Sequence, residues 1–338
     1  MDHHVEIGFF FWPYTPALIR RMAAAAQRYR YDVVGIADTP GVAMDPWVAA
    51  TLLAEAVTNI PVAICVSNLV SRHPAASAAA IASLDLLCGG RAVLGIGAGH
   101  SGVRNLGLSS STAAEIERGV RFIKALLRGG EISVGDTTAA LPWVTQAPKV
   151  FVAASHDRAL TAGGAVADGV YINYGLHREN VRDSEAVVRR SAEASGRNPD
   201  EIEIWQIAAL DCSDDGESSR RAIGKILAFL TGYIVGARDP VTRGVPPELS
   251  EAVKELRAQY STRPGQADAD LVERLGLFEY LARRHAICGT PEECLTQLAA
   301  ARTAGVQRLM LSVSLAADPA RTVELFGERV LPAVRSWD

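Results

Sequence analysis

The chain has 338 residues, 49% of them hydrophobic, and a formal net charge of −4, enough apolar material for the large core of one elaborated α/β domain. Its lysines and arginines are scattered, which argues against a nucleic-acid or anionic-membrane binder and for a small-molecule partner. Five widely spaced cysteines without a CxxC pair give neither a disulfide framework nor a zinc site, and a reducing cytoplasm fits.

Met1–Phe11 lacks a basic segment followed by a cleavable apolar one, and charge interrupts the alanine-rich runs before a membrane-spanning length, so the reading is a soluble protein. The first strand is Val5–Phe11. Thr15-Pro16 then supplies a cap and a first-turn proline for a helix over Ala17–Arg30. Strand two, Val33–Ala37, stops at Asp38-Thr39-Pro40-Gly41, and a helix from about Pro46 to Ala56 follows. Strand three, Pro61–Ser67, is β-branched and almost wholly apolar, as a strand covered on both faces must be. His73-Pro74 opens an alanine-rich helix to Leu87, ended by Gly89-Gly90.

Strand four, Ala92–Ile96, runs into the glycine-rich Gly97–Gly102, and a helix over Thr112–Leu127 follows. Glu131–Trp143 reads as an inserted β-excursion, Val150–Ala153 as strand five, Gly169–Ile172 as strand six and Ile202–Leu210 as strand seven. Asp211–His285 is too long for a loop and is expected to be a helical insertion with polar joints at Arg238–Pro247 and Ser261–Ala269. Gly289-Thr290-Pro291-Glu292-Glu293 is a capped helix start, and Arg308–Ser312 closes the count at eight strands. The first four strands begin about 30 residues apart, a βαβ repeat. The fold class is therefore a TIM-like (β/α)8 barrel with insertions, a single domain over 1–338, whose chemistry gathers at the C-terminal strand ends.

Gly97-Ala98-Gly99-His100-Ser101-Gly102 also satisfies the dinucleotide pattern G-x-G-x-x-G. Three βα units precede it and no second strand ending in an acidic residue follows at the usual spacing, so a barrel loop is the stronger reading.

Several segments together resemble the bacterial-luciferase-like superfamily of flavin- and deazaflavin-dependent oxidoreductases. They are Val66–Pro74, Ser83-Leu84-Asp85, Gly89–Gly99, Val152-Ala153-Ala154-Ser155, Ala167–Val170 and Gly289–Glu293, in the family's order. Ser101–Leu108 is similar to the branch around methylenetetrahydromethanopterin reductase, whose members use the deazaflavin coenzyme F-420. Ala98 and His100 stand where that branch frequently has Arg and Asp.

The resemblance implies a two-electron oxidoreductase: hydride transfer from reduced F-420 to a small unsaturated molecule, or a reduced-FMN monooxygenase acting with molecular oxygen. A non-catalytic ligand-binding barrel is a third reading. It also implies a non-prolyl cis peptide at Cys65-Val66 behind the ring, beside Ser67, Asn68, Gly97, Gly99 and Ser101. From the residues alone, Cys65 is equally an ordinary buried strand end. Asp38 serves the polar edge of the ring, caps the turn before Pro40, or both. His100 on an exposed loop is a proton donor or acceptor, or a surface histidine bonded to backbone. Ala154, Ser155 and His156, at a helix start, and Asn173, Tyr174 and Gly175, after strand six, are the places the family uses for the cofactor phosphate. Leu176 sits where some deazaflavin enzymes have Lys. Trp205 either lines the cavity or belongs to the core. The early barrel helices imply a homodimer, and no metal constellation is present in the pattern.

Overall fold

Apolar, β-branched and aromatic runs make the strands. In a computed structural model that describes residues 5–235, 239–259, 270–316 and 318–337, they are β1 (Glu6–Phe11), β2 (Val34–Ile36), β3 (Val62–Asn68), β4 (Ala92–Gly97), β5 (Ile132–Val134), β6 (Thr137–Ala139), β7 (Lys149–Ala154), β8 (Gly169–Ile172), β9 (Glu203–Cys212), β10 (Ala286–Gly289) and β11 (Arg308–Ser312). The main sheet runs β10-β9-β11-β1-β2-β3-β4-β7-β8, and β9 also pairs with β8. Eight strands thus close a ring, from β11 through β1 to β9, as the TIM-like reading expects. The two-stranded β5-β6 hairpin lies within the expected excursion. β10 is a four-residue strand beside the end of β9, additional to the eight expected.

Side-chain size follows the register. Phe9 and Phe11 are fully buried on one face of β1, with Phe9 edge-on to Tyr31 at 4.8 Å. On the other face Phe10 is level with Gly35, and Gly35 with Ala63, so small residues neighbour the large ring.

The chain divides into two compact units, one of Ile7–Ile172 with Ser184–Trp205, the other of Met1–Glu6, Asn173–Asp183 and Gln206–Asp338. In the first, two residues of the family-like motifs are structural locks. Asp85 accepts the Ala92 N–H at 2.8 Å, fixing the entry to β4. Asp168 accepts the Val150 N–H at 2.9 Å and the Lys124 ammonium at 2.6 Å, while Lys124 also donates to the Val166 carbonyl at 2.8 Å. Gly169 follows because a Cβ there would lie 2.5 Å from the Phe151 ring.

In the second unit, Asp211–His285 holds the helices Gly216–Val235, Ser250–Gln259, Leu271–Arg274 and Phe278–His285 after the end of β9. Ile223, Leu227, Val253, Leu256, Leu277 and Leu281 form its buried core with Ala209 of β9. Of the expected joints, Ser261–Ala269 and Arg238 lie outside the described residues. Pro240–Arg243 is a 3-10 turn capped by Asp239 and ended by Gly244 at φ 69°.

Helix starts follow their caps. Thr112 with Glu115 and Thr290 with Glu293 form reciprocal capping boxes, and His73 caps its helix through Nδ1, accepting from the Ala75 N–H at 3.2 Å. His73 is thus helix-entry structure.

Candidate active site

The C-terminal ends of β1 to β4, all in the first unit, bring the predicted polar residues together. Asp38, just past β2, accepts a 2.6 Å hydrogen bond from the Ser67 hydroxyl near the end of β3. Burial raises the Asp38 carboxyl above its ordinary range, Ser67 opposes this, Asp45 adds to it and Arg72 opposes it. The next residue, Thr39, accepts from the Trp12 indole N–H at 2.9 Å, tying the exit of β1 to that of β2. This Trp12–Thr39 link spans 27 residues, and no local pattern announces it.

The Cys65–Val66 peptide is cis, as the resemblance implies. The β3–β4 register also slips between Ile64 and Ser67. Val66 then lies close on β4: a Cβ at Gly95 would sit 2.7 Å from Cγ1 of Val66, and one at Gly97 2.9 Å from Cγ2. Asn68, 1% exposed, closes the strand end through its side-chain oxygen, which accepts from the Val70 N–H at 2.9 Å, the Ser71 N–H at 2.8 Å and the Ser71 hydroxyl at 3.1 Å.

The glycine segment is not the exposed loop expected of it. Gly97 belongs to β4, and His100–Arg104 forms a short helix pressed on the neighbouring strand ends. A Cβ at Gly102 would lie 2.7 Å from the Asp38 carbonyl oxygen, and one at Gly99, where φ is 82°, would lie 2.2 Å from Cγ2 of Val103 and 3.0 Å from Cβ of Asn68. His100 is half-buried; burial, with Arg104 adding to it, lowers its imidazole to about 4. The lowered value favours the neutral ring near pH 7. Ser101 is half-buried beside it, and Arg104 points to solvent.

Ala154 and Ser155 are buried at the end of β7, and His156 caps the helix Asp157–Val166 by accepting from the Ala159 N–H at 3.4 Å. Asp157 puts a carboxylate in that helix's first turn, so the place suits a phosphate less well than the sequence suggests. Asn173, Tyr174 and Gly175 follow β8 in the second unit, where the Tyr174 carbonyl is held by Arg284. Trp205 is 5% exposed, a core residue.

Asp38, Ser67, Asn68 and Val66 thus lie together at neighbouring strand ends, Asp38 paired with Ser67 and Val66 packed on Gly95 and Gly97. Among the described residues no group of His, Cys, Asp or Glu could hold a metal ion.

The model of the luciferase-like monooxygenase family matches residues 12–308. The chain belongs to that family. A 5,10-methylenetetrahydromethanopterin reductase of Methanolobus tindarius is 24% identical over 97% of this luciferase-like chain and the whole of its own. The solved coenzyme F-420 dependent tetrahydromethanopterin reductase of Methanopyrus kandleri superposes with a TM-score of 0.78 at 22% identity, covering 98% of this chain and 99% of the other. An EDTA monooxygenase of Chelativorans sp. BNC1 superposes at 0.68 with 17% identity, covering 98% and 94%. Among the described residues of this family member no helix is long and apolar enough to cross a membrane.

Proposed function

We propose that this luciferase-like oxidoreductase uses reduced F-420 to transfer a hydride to a small unsaturated molecule, with Asp38 delivering the accompanying proton. The observation that carries the reading is the Asp38–Ser67 pair at the strand ends, where burial raises the carboxyl above its ordinary range and the Ser67 hydroxyl contacts it at 2.6 Å. A carboxyl shifted upward by burial is better matched to passing a proton than an ordinary exposed carboxylate. When bound, the reduced deazaflavin supplies the hydride, and the protein supplies position and proton.

Val66, laid on Gly95 and Gly97, supports the apolar back of the ring. Ser67 and Asn68 hold its edge. His100, neutral, offers a hydrogen bond without adding charge beside the reacting centre. The helix His100–Arg104, seated through Gly99 and Gly102, covers the ends of β2 and β3 and excludes water. Ser155 offers a hydroxyl to a cofactor phosphate, against the opposing charge of Asp157.

F-420 is favoured over FMN because the curated reductases and the reductase structure lie nearer to this chain than the monooxygenases do. The family's own description favours the second reading, a reduced-FMN monooxygenase acting with oxygen. Anaerobic titration of the apoprotein with each cofactor, followed by absorbance, separates the two. F-420 is expected to bind more tightly, and Asp38→Asn to keep that binding while slowing substrate reduction ~10²-fold or more. Failure of both cofactors would sink the redox reading, tighter FMN binding would favour the monooxygenase, and full turnover in Asp38→Asn would remove Asp38 from the chemistry.

A further inference from the structure

A cavity of about 480 Å³ opens in the first unit beside the turn that follows β3. No member of the Asp38–Ser67 cluster lines it. Its apolar part is Leu69 and Val70 of that turn together with Phe122 of the helix Ala113–Leu127. Gly119 of the same helix lets Leu69 lie against it, since a Cβ there would sit 2.4 Å from Cδ1 of Leu69. His73 stands edge-on to the Phe122 ring with centroids 6.1 Å apart, and because its Nδ1 accepts the Ala75 N–H, Nε2 is left to the cavity.

The polar part of the lining is rich in donors. The hydroxyls of Ser109 and Ser111 and the exposed guanidinium of Arg118 make no hydrogen bond or ion pair among the described residues. The one acid in the lining, Glu115, is engaged elsewhere: its Oε2 accepts from the Thr112 N–H at 2.7 Å and the Thr112 hydroxyl at 2.8 Å. Those bonds hold the Glu115 carboxyl below its ordinary range, with Arg118 adding to them. An apolar wall, a planar cation and two hydroxyls together suit a compact apolar body that ends in a carboxylate, and the volume lies within the range of about 300–1,000 Å³ usual for small-molecule sites. The walls also reach the candidate active site. Val70 donates its N–H to Asn68 at 2.9 Å, the Ser110 hydroxyl donates to the Gly99 carbonyl at 3.3 Å, and the Ser111 N–H to the Ala98 carbonyl at 2.8 Å.

We propose that this cavity is a second ligand site, which takes a small apolar carboxylate between Phe122, Leu69 and Arg118 and, when filled, braces the turns that carry Asn68 and Gly99. Arg118 receives the carboxylate, with the Ser109 and Ser111 hydroxyls as further donors. Phe122 and Leu69 receive the apolar body. Glu115 opposes the ligand's charge and so limits its affinity. The site stands on the first unit alone and does not depend on which redox cofactor the protein uses.

The test is calorimetric titration of the full chain with benzoate, and with benzamide as its neutral isostere. Wild type is expected to bind benzoate about tenfold or more tightly than benzamide. Arg118→Gln, a change at an exposed position, is expected to fold and to lose benzoate affinity by about tenfold or more, and Arg118→Lys, which keeps the charge but not the planar fork, by a smaller factor. Glu115→Gln keeps a residue suited to the capping box and is expected to bind benzoate more tightly. Amide hydrogen exchange at Val70 and Ser71, whose N–H groups Asn68 holds, is expected to slow when benzoate is bound. F-420 is then added at saturating benzoate, and the two are expected to bind together. Failure of F-420 to bind with or without benzoate overturns the cofactor reading and leaves this site standing. No benzoate binding in wild type, equal affinity for benzamide, unchanged affinity in Arg118→Gln, unchanged exchange at Val70 and Ser71, or displacement of benzoate by F-420 would each overturn the proposal.

Discussion

Replacing His100 with Gln removes one group that binds its proton differently in the folded and unfolded chain. Burial and Arg104 lower the folded imidazole from 6.5 to about 4. Between those values the unfolded chain takes up the proton and the folded chain resists it, so the stability His100 contributes is fully present above the unfolded value and is lost as pH falls through the folded one. At ~1.36 kcal/mol per unit the shift corresponds to ~3.4 kcal/mol. Solvent screening of the half-buried ring reduces that to ~1–2 kcal/mol. Urea unfolding of wild type and His100→Gln near pH 7 and near pH 4.5 measures it. Wild type is expected to lose ~1–2 kcal/mol more than the variant over that interval. His177 and His285, also lowered by burial, titrate in both proteins and cancel in the difference. Parallel losses in the two proteins would refute the reasoning, because they would show that the folded environment does not disfavour the charged ring.

Gly102→Ala sets two effects of opposite sign against each other. Helix propensity alone predicts a gain of up to ~1 kcal/mol, whereas a methyl 2.7 Å from the Asp38 carbonyl oxygen predicts a loss of ~1–3 kcal/mol, and urea denaturation is expected to show the loss. Lys124→Met leaves the Asp168 carboxylate and the Val166 carbonyl without their ammonium partner, and calorimetry should record destabilisation of ~3 kcal/mol or more. Leu86 and Leu87, 62% and 56% exposed at the end of the helix Pro74–Leu87, form an apolar surface that fits the proposed symmetric homodimer. Light scattering at micromolar concentration should report twice the chain mass, and a monomer would contradict this.

Much of the barrel was legible because its signals are local. An uninterrupted apolar run marks β3, and Thr112 with Glu115 or Thr290 with Glu293 marks a helix start within four residues. β10 was not counted because four apolar residues directly after Arg283-Arg284-His285 carry no alternation to separate a strand from a helix end. The same basic run hid Arg284, since charge in a last helical turn ordinarily faces water. The cis peptide was reached only through family resemblance, and the neighbourhood of Asp38 and Ser67 through the rule that barrel strand ends converge. The Trp12–Thr39 bond was out of reach, because it depends on where two strand exits meet in space. His100 was misplaced because the glycines on both sides read as a loop, while they serve to let a helix pack where a Cβ has no room.

The turn at Asn68 fixes the polarity of the adjoining ground. Its carbonyl oxygen faces two backbone N–H groups and a hydroxyl, so the amide cannot be flipped without setting donors against donors. In the proposed function, a ring edge that reaches the far end of that side chain meets N–H groups alone, so an acceptor such as a ring carbonyl suits it while another donor does not. Aspartate, almost the same shape, would satisfy the turn equally well and reverse that preference. On the proposed function, a difference of one atom type at a strand end therefore separates two sets of acceptable guests on an otherwise unchanged backbone.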